Sequence, residues 1–430
     1  MKFMIFTPAA LTSAIGRMAF IVSQALIAGG HEVNHVRTEC NDLIDTPTHP
    51  FNGSCIPWTD IDAVAALSHR TDIVIYHIGN NPAYHIGGLS WIPHLPGIIC
   101  LHDFFVGSLF FELAKGNHEY AADIIMAWYG EPIPDGYWTY NDADNLVNDT
   151  KDTLPMTEWI CSYATAVMTH SCWAIDRVLA SCPGPVQVAA LPISISKTDC
   201  HFAAPKLNTL FNVLTVGDVN NNKRIDKVIQ AIGSSSLLRS KTIYRVAGNI
   251  DVEKREKLTQ LANSLQVTLV LLGKVDDATL NYLFEEADVV TCLRWPCIES
   301  ASASLIEALL HEKATIVTHS GCYSELPDDY VIKINIQNEH SDLVAALEFL
   351  HGNPEKRRAM GKNAAVWAKT AFSATHYANE LVKLSLLTLD AIPILNATKS
   401  FKKIMASWHG NPALNILDEN IKPLLIFESY

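Results

Sequence analysis

Apolar residues along this chain fall into two alternating patterns: short unbroken runs rich in valine and isoleucine, and longer stretches with an apolar period of three to four. The first pattern predicts fully buried strands and the second amphipathic helices. From residue 210 the alternation is regular. "LFNVLTVG" (210–217) predicts a strand, "RIDKVIQAI" a helix, "TIYRVAG" a strand, "VEKREKLTQLANSL" a helix and "VTLVLLG" a strand. "DATLNYLFEEA" then predicts a helix, "DVVTCLR" a strand, the segment around Glu307 a helix and "ATIVTH" a strand. Before residue 200 the grammar is similar. "KFMIFTP" leads into the helix "MAFIVSQALIAGG", stopped by Gly29 and Gly30, and "HEVNHVR", "DIVIYHIG", "GIICLHD" and "ATAVMTHS" follow as strands. Strands alternating with helices imply a parallel, doubly wound sheet, so the expected class is α/β with two Rossmann-like domains.

The polar, proline-flanked stretch 192–209 is the expected linker, which divides the chain into 1–200 and 201–385. Residues 116–155 mix aromatics with acids and show little periodicity beyond one short helix, so they are expected to be an insertion over a site. In the tail, 386–430, Lys399, Lys402 and Lys403 stand beside Phe401, Ile404, Met405 and Trp408. Such a basic amphipathic stretch either touches a membrane surface or packs back on the first domain, and the second is expected. The first twenty residues carry Pro8 and Arg17, which suit strand, loop and helix better than a leader. No run approaches the roughly 18 apolar residues of a membrane span, so membrane contact is expected to be at most peripheral.

Composition changes this picture in two places. The formal charge of −13 is concentrated early: residues 1–200 hold 8 Lys/Arg against 20 Asp/Glu, and the remainder 24 against 25. A surface of that sign argues against nucleic acid as a partner. The 10 cysteines include no C-x-x-C pair and lie in apolar surroundings, the pattern of buried free thiols in a reducing compartment.

The candidate chemistry lies in "CIESASASLIEALL" (297–310), where Glu299 and Glu307 bracket a run of small residues. A helix starting near Ala301 to Ala303 offers unpaired N–H groups and the positive end of its dipole to a diphosphate, and Ser300, Ala301, Ser302, Ala303 and Ser304 let a ligand reach the backbone. The two acids are about 10–12 Å apart at 1.5 Å per residue, comparable to the span from hexose to ribose in a nucleoside diphosphate sugar. A carboxylate accepts from both hydroxyls of a diol, which suits Glu307 to the ribose and Glu299 to the hexose. Asp142 and Asp144, in "DAD", stand either as a solvated turn or as a metal-binding pair, and the turn is expected.

"TCLRWPCIESASASLIEALLHEKATIVTHSGCYSELPDD" resembles the donor-binding segment of the retaining glycosyltransferases of family 4, with their E-x7-E signature. "VLTVGDVNNNKRIDKVIQAI" is similar to the first strand and helix of the same family's C-terminal domain, and the resemblance extends from about 210 to 385. It implies a GT-B fold in which the C-terminal domain holds the nucleotide sugar and the N-terminal domain the acceptor. By it Gly217 and Lys223 meet the diphosphate. Where many members carry an arginine this chain has Asp218, which leaves Arg224 as the expected second cation.

The first half resembles the family less closely. "SAIGRMAFIVSQALIAGGHEV" is similar to its glycine-bearing loop and first helix, which places Gly16 at the donor phosphates or the acceptor. "IICLHDFF" is similar to the segment that brings a histidine to the sugar, which implies His102 as the residue orienting a sugar hydroxyl and puts Asp103 on the acceptor side. Trp138, with Trp128, Tyr129, Tyr137 and Tyr140, either stacks on acceptor sugars or packs inward. The implied activity is metal-independent, retaining transfer of a hexose from a GDP- or UDP-linked donor to an oligosaccharide or lipid-linked saccharide, with His102, Lys223, Arg224 and Glu299 at the reaction and no cofactor. It fits a cytoplasmic protein of bacterial polysaccharide or glycolipid assembly, at the inner face of the plasma membrane if it meets a membrane at all. Another GT-B enzyme, inverting or epimerising, and a non-catalytic sugar-binding protein remain the alternatives.

Overall fold

The computed structural model describes residues 1–53, 55–130, 132–140, 143–193 and 210–407, without the side chains of 143 and 402–407. The expected linker falls largely outside these residues, as do Asp142 and Trp408. The chain divides into two units, one made of 1–192, 298–301 and 374–430 and the other of 193–297 and 302–373.

The first unit begins β1 (Lys2–Thr7), α1 (Ala14–Ala28), β2 (Glu32–Arg37), β3 (Cys55–Pro57), α2 (Ile61–Ser68), β4 (Ile73–Ile78), α3 (Pro82–Trp91) and β5 (Ile98–Leu101). It continues α4 (Gly107–Ala114), α5 (His118–Tyr129), α6 (Ala143–Thr150), α7 (Thr157–Cys161), β6 (Ala166–Thr169), α8 (Ile175–Ser181) and β7 (Val186–Val188). Its seven strands run β3-β2-β1-β4-β5-β6-β7, every neighbouring pair parallel. β1, β5 and β6 are buried almost throughout because helices cover both faces of the sheet, which is why their sequences are unbroken apolar runs.

The second unit holds β8 (Phe211–Val216), α9 (Ile225–Ser234), α10 (Ser236–Lys241), β9 (Thr242–Ala247), α11 (Val252–Ser264), β10 (Thr268–Gly273), α12 (Asp277–Glu286) and β11 (Val289–Cys292). It is completed by α13 (Ala303–Leu310), β12 (Ala314–Thr318), β13 (Ile332–Ile334), α14 (Glu339–Gly352) and α15 (Pro354–Ala371). The sheet order is β10-β9-β8-β11-β12-β13, again all parallel. The last helix, α16 (Ala374–Ser407), returns to the first unit, where it packs on α1, β6 and β7.

Two expectations need revision. The stretch 116–155 is mostly helical, with α5, a 3-10 turn at Tyr137–Thr139 and α6. Its aromatics pack onto the core of the first unit: Trp128, Tyr129, Trp138 and Tyr140 all lie against it, and Tyr137 is buried within it. The helical stretch Pro354–Phe401 also contains a window long and apolar enough to cross a membrane, 22% of it buried. Serine, threonine and alanine between the leucines hid that window as a run. Past Ser385 the helix leaves Leu386, Leu387, Ile394 and Phe401 exposed.

Candidate functional site

In a doubly wound sheet the strand order reverses at one place, and the crevice beyond the carboxyl ends of those strands receives the ligand. In the second unit the reversal lies between β8 and β11, and in the first between β1 and β4.

At the end of β8 the chain turns through Gly217, with φ of +103°, a backbone state that glycine adopts without steric cost. The short turn Asn221–Lys223 then folds the Lys223 side chain back, so that its ammonium donates to the Val216 carbonyl at 3.2 Å and the residue is only 7% exposed. A Cβ at position 217 would collide with that ammonium, so the glycine and the lysine are fitted to each other. Lys223 is therefore held over the strand end instead of reaching into bulk water. Arg224, expected as the second phosphate cation, grips Glu339 at the start of α14 with both prongs, Nε to Oε1 at 2.9 Å and Nη2 to Oε2 at 2.5 Å. Its guanidinium is engaged there, and it holds the Lys223 turn against α14. Asp218 accepts from the Asn249 N–H at 3.3 Å.

Beyond β11, Asn222 accepts from the Trp295 N–H, which ties the lysine turn to the loop leading to α13. The Ser302 hydroxyl caps α13 by accepting from the Leu305 N–H, so the helix starts at Ala303 and points its N-terminus toward the carboxyl edge of the sheet. Glu307 follows four residues later, partly buried.

The first unit's site is built from three loops. Gly16 sits where a side chain would strike the Pro8 carbonyl, and the Ser13 hydroxyl accepts from its N–H, so the glycine lets α1 start hard against the β1 loop. Buried Glu39 accepts from the Ala9 and Ala10 N–H groups at 2.7 and 2.6 Å while paired to Arg37, which fixes that loop from below. Past β4, Asn80 donates its N–H to Asp103 and accepts at its side-chain oxygen from the N–H groups of Ser108 and Leu109 at the start of α4. The segment 298–301 lies against the end of β5: Phe104 N–H donates to Ile298, Ser300 N–H to His102, and the Ser300 hydroxyl to the carbonyls of Leu101 and His102. Asp103 and Glu299 thereby form an isolated antiparallel bridge, with Ala301 closing the segment.

His102 lies in a row of three buried rings. His170 Nδ1 is 3.2 Å from the Ala189 carbonyl, His170 Nε2 is 3.3 Å from His102 Nδ1, and His102 Nε2 is 2.9 Å from His77 Nδ1. A carbonyl only accepts, so the protons are ordered: His170 carries its proton on Nδ1, and His102 and His77 carry theirs on Nδ1 as well. Burial depresses all three, His77 to about 3, His170 to about 4 and His102 well below the usual value, so the row is neutral at pH 7. Neither ring nitrogen of His102 is left for a sugar hydroxyl in this arrangement. Its neighbour Asp103 is the group that titrates, pushed up to about 7 by burial, with the charge of Glu299 adding to the rise. Trp138 stacks on His118 at 4.1 Å, in contact also with Phe111 and Tyr137, an inward packing.

Among the described residues no group of three or more His, Cys, Asp or Glu side chains could hold a metal ion, and the described cysteines are free thiols. Sequence reasoning passed over Asn80, Glu39, His77, His170 and Glu339. The asparagines in "IGNN" were a usable turn signal; the others become visible only when the strands are aligned.

A family model described as "Glycosyl transferases group 1" matches residues 197–367. That segment is similar to the group 1 glycosyl transferases. The solved structures similar to the whole chain include sucrose-phosphate synthase from Thermosynechococcus elongatus, 13% identical with a TM-score of 0.58, covering 92% of this chain and 99% of that one. The Anabaena protein HepE in complex with UDP and glucose is 14% identical, with a TM-score of 0.58 over 90% of this chain and 99% of its own. WaaG, a glycosyltransferase involved in lipopolysaccharide biosynthesis, is 15% identical, with a TM-score of 0.54 over 90% and 100%. The fold is GT-B. No curated protein matches the sequence.

Proposed function

We propose that this protein is a retaining glycosyltransferase that moves a hexose from a UDP- or GDP-linked donor to a saccharide without a metal ion. The observation that carries this reading is the Lys223 ammonium, folded over Gly217 at the switch point of a sheet whose sequence matches group 1 glycosyl transferases. As the glycosidic bond breaks, the departing nucleoside diphosphate gains negative charge. A fixed ammonium and the N-terminus of α13 stabilise that charge without reorganising, by the logic of an oxyanion hole. Arg224 contributes by holding the Lys223 turn through Glu339. Glu307 takes the ribose hydroxyls, and Glu299, bridged to Asp103, faces the hexose. The acceptor oxygen attacks from the face of the leaving group, its proton passing to the departing phosphate oxygen, so no covalent enzyme intermediate is needed.

A UDP-linked donor is supported by the HepE complex with UDP and glucose, and a role in surface-polysaccharide assembly by the likeness to WaaG. The apolar face exposed on α16 beyond Ser385, followed by Lys399, suits peripheral contact with the inner face of the plasma membrane, where lipid-linked acceptors reside. The test is transfer from radiolabelled UDP-glucose and GDP-mannose to a panel of saccharides, with the anomeric configuration of the product read by NMR. An inverted product would sink the retaining assignment, and absence of both transfer and donor hydrolysis would sink the enzyme reading.

A further inference from the structure

We propose that His85 is a hydroxyl-binding residue whose Nε2, together with Asp103 Oδ2, forms a two-acceptor cradle for the saccharide that receives the sugar. This rests on the glycosyltransferase reading above and adds a residue to it that neither motif nor family likeness pointed to.

His85 lies in the first turns of α3, a helix capped by Asn81, whose side chain accepts from the Ala83 N–H at 3.1 Å. Its Nδ1 is 3.0 Å from the His77 carbonyl. Because that oxygen can only accept, the ring proton sits on Nδ1 and Nε2 carries a bare lone pair. The residue is 2% exposed, and burial lowers its pKa to about 4, so the ring remains a neutral acceptor at pH 7. Among the described residues Nε2 has no hydrogen-bond partner.

What Nε2 faces is set by Gly79. A Cβ on that residue would lie 2.9 Å from His85 Nε2, 3.1 Å from Asp103 Oδ2 and 2.7 Å from Ile15 Cδ1. The two polar atoms are therefore at most 6.0 Å apart, and the glycine is what lets both come this close to the chain at residue 79. Asp103 Oδ2 already accepts from the Asn80 N–H at 2.8 Å, so the carboxyl is oriented independently of any ligand. A buried acceptor left without a donor costs free energy, so His85 Nε2 favours a donor placed beside it and Asp103 Oδ2. A sugar hydroxyl is such a donor, and a vicinal pair serves both atoms. A metal ion would need a third ligand, and no such group of three exists among the described residues. The two acceptors also lie at the carboxyl end of β4, beside the β1/β4 reversal where a ligand of this fold is received.

Two substitutions separate recognition from structure. In His85→Asn the amide nitrogen takes the place of Nδ1, keeps the bond to the His77 carbonyl and removes the Nε2 acceptor. In His85→Gln the amide oxygen reaches the Nε2 position while the Nδ1 bond is lost. Binding of methyl α-D-mannopyranoside and of methyl α- and β-D-glucopyranoside is followed by saturation-transfer NMR at saturating UDP or GDP, with nucleotide affinity measured by thermal shift. Wild type and His85→Gln are expected to bind a glycoside with similar affinity and His85→Asn at least tenfold more weakly, nucleotide affinity being equal in all three. Gly79→Ala, whose Cβ would crowd both acceptor atoms, is expected to reproduce the loss. Unimpaired binding by His85→Asn, impairment of His85→Gln alone, or a wild type that binds nucleotide but no glycoside would each overturn the proposal. Should the wild type bind glycosides as described but neither nucleotide, the His85 assignment stands and the glycosyltransferase reading falls.

Discussion

Lys223 places its ammonium in the space that a side chain on Gly217 would need, and the two residues are six apart in sequence because one turn of chain brings the cation back over the strand end. Gly217→Ala meets both a steric block and a φ of +103°, so a cost of about 1–3 kcal/mol in stability is expected, with the lysine displaced. Lys223→Ala removes the charge without the strain and is expected to lower kcat by about 10²–10³-fold. Thermal unfolding and steady-state kinetics on the two single variants and the double variant check the coupling. If residue 217 yields the same loss of stability with and without Lys223, the steric relationship is not what selects glycine.

Arg224 and Glu339 form a two-pronged pair whose side chains are 23% and 8% exposed. Removing one partner leaves the other partly desolvated, which costs 3–5 kcal/mol in a fully buried pair and is expected to cost about 1–2 kcal/mol here. Glu339→Gln should therefore lower the melting temperature and, by freeing the Lys223 turn, lower kcat in the same direction as Lys223→Ala. An unchanged kcat beside a lower melting temperature would mean that the pair does not hold the Lys223 turn.

How legible this was depends on range. The β8 and α9 runs and the lysine after Gly217 are local features, and pattern reading finds them. The partner of Arg224 lies 115 residues away, and nothing in "NNNKR" points to it. The row His77, His102 and His170 comes from three different strand ends, so each appears in sequence as a lone histidine after an apolar run. β3, β7 and β13 have three residues each, too few for any period to show. Trp138 shows why composition misleads in an insertion: an aromatic loop and an aromatic satellite core have the same residues, and only the stacking on His118 decides between them.

With the Lys223 ammonium as the proposed cation at the diphosphate, turnover is expected to survive EDTA. Activity is compared in 5 mM EDTA and in added manganese, a concentration of about that order being ample for chelation. Strict dependence on manganese would turn attention to Asp144 and Asp142 and away from Lys223.

The buried histidines make stability depend on pH in a definite direction. His77, His85 and His170 have folded values of about 3, 4 and 4, below the ordinary 6.5, so the unfolded chain binds protons first as pH falls. Their neutral-form stabilisation is complete above pH 6.5 and is lost as pH drops from there toward 4, at about 2 kcal/mol per ring by pH 5. Asp103, raised to about 7, acts in the opposite sense, since its protonated form is favoured by folding and its contribution is lost as pH rises from about 4 through 7. His35, His102 and His311 are lowered by burial too, so the rings outweigh one carboxyl and the midpoint of urea unfolding is expected to fall steeply between pH 6.5 and 5. His77→Phe removes one ring and its unpartnered Nε2, and should flatten that slope measurably. An unchanged slope in that variant would mean the row is not what governs the acid limb.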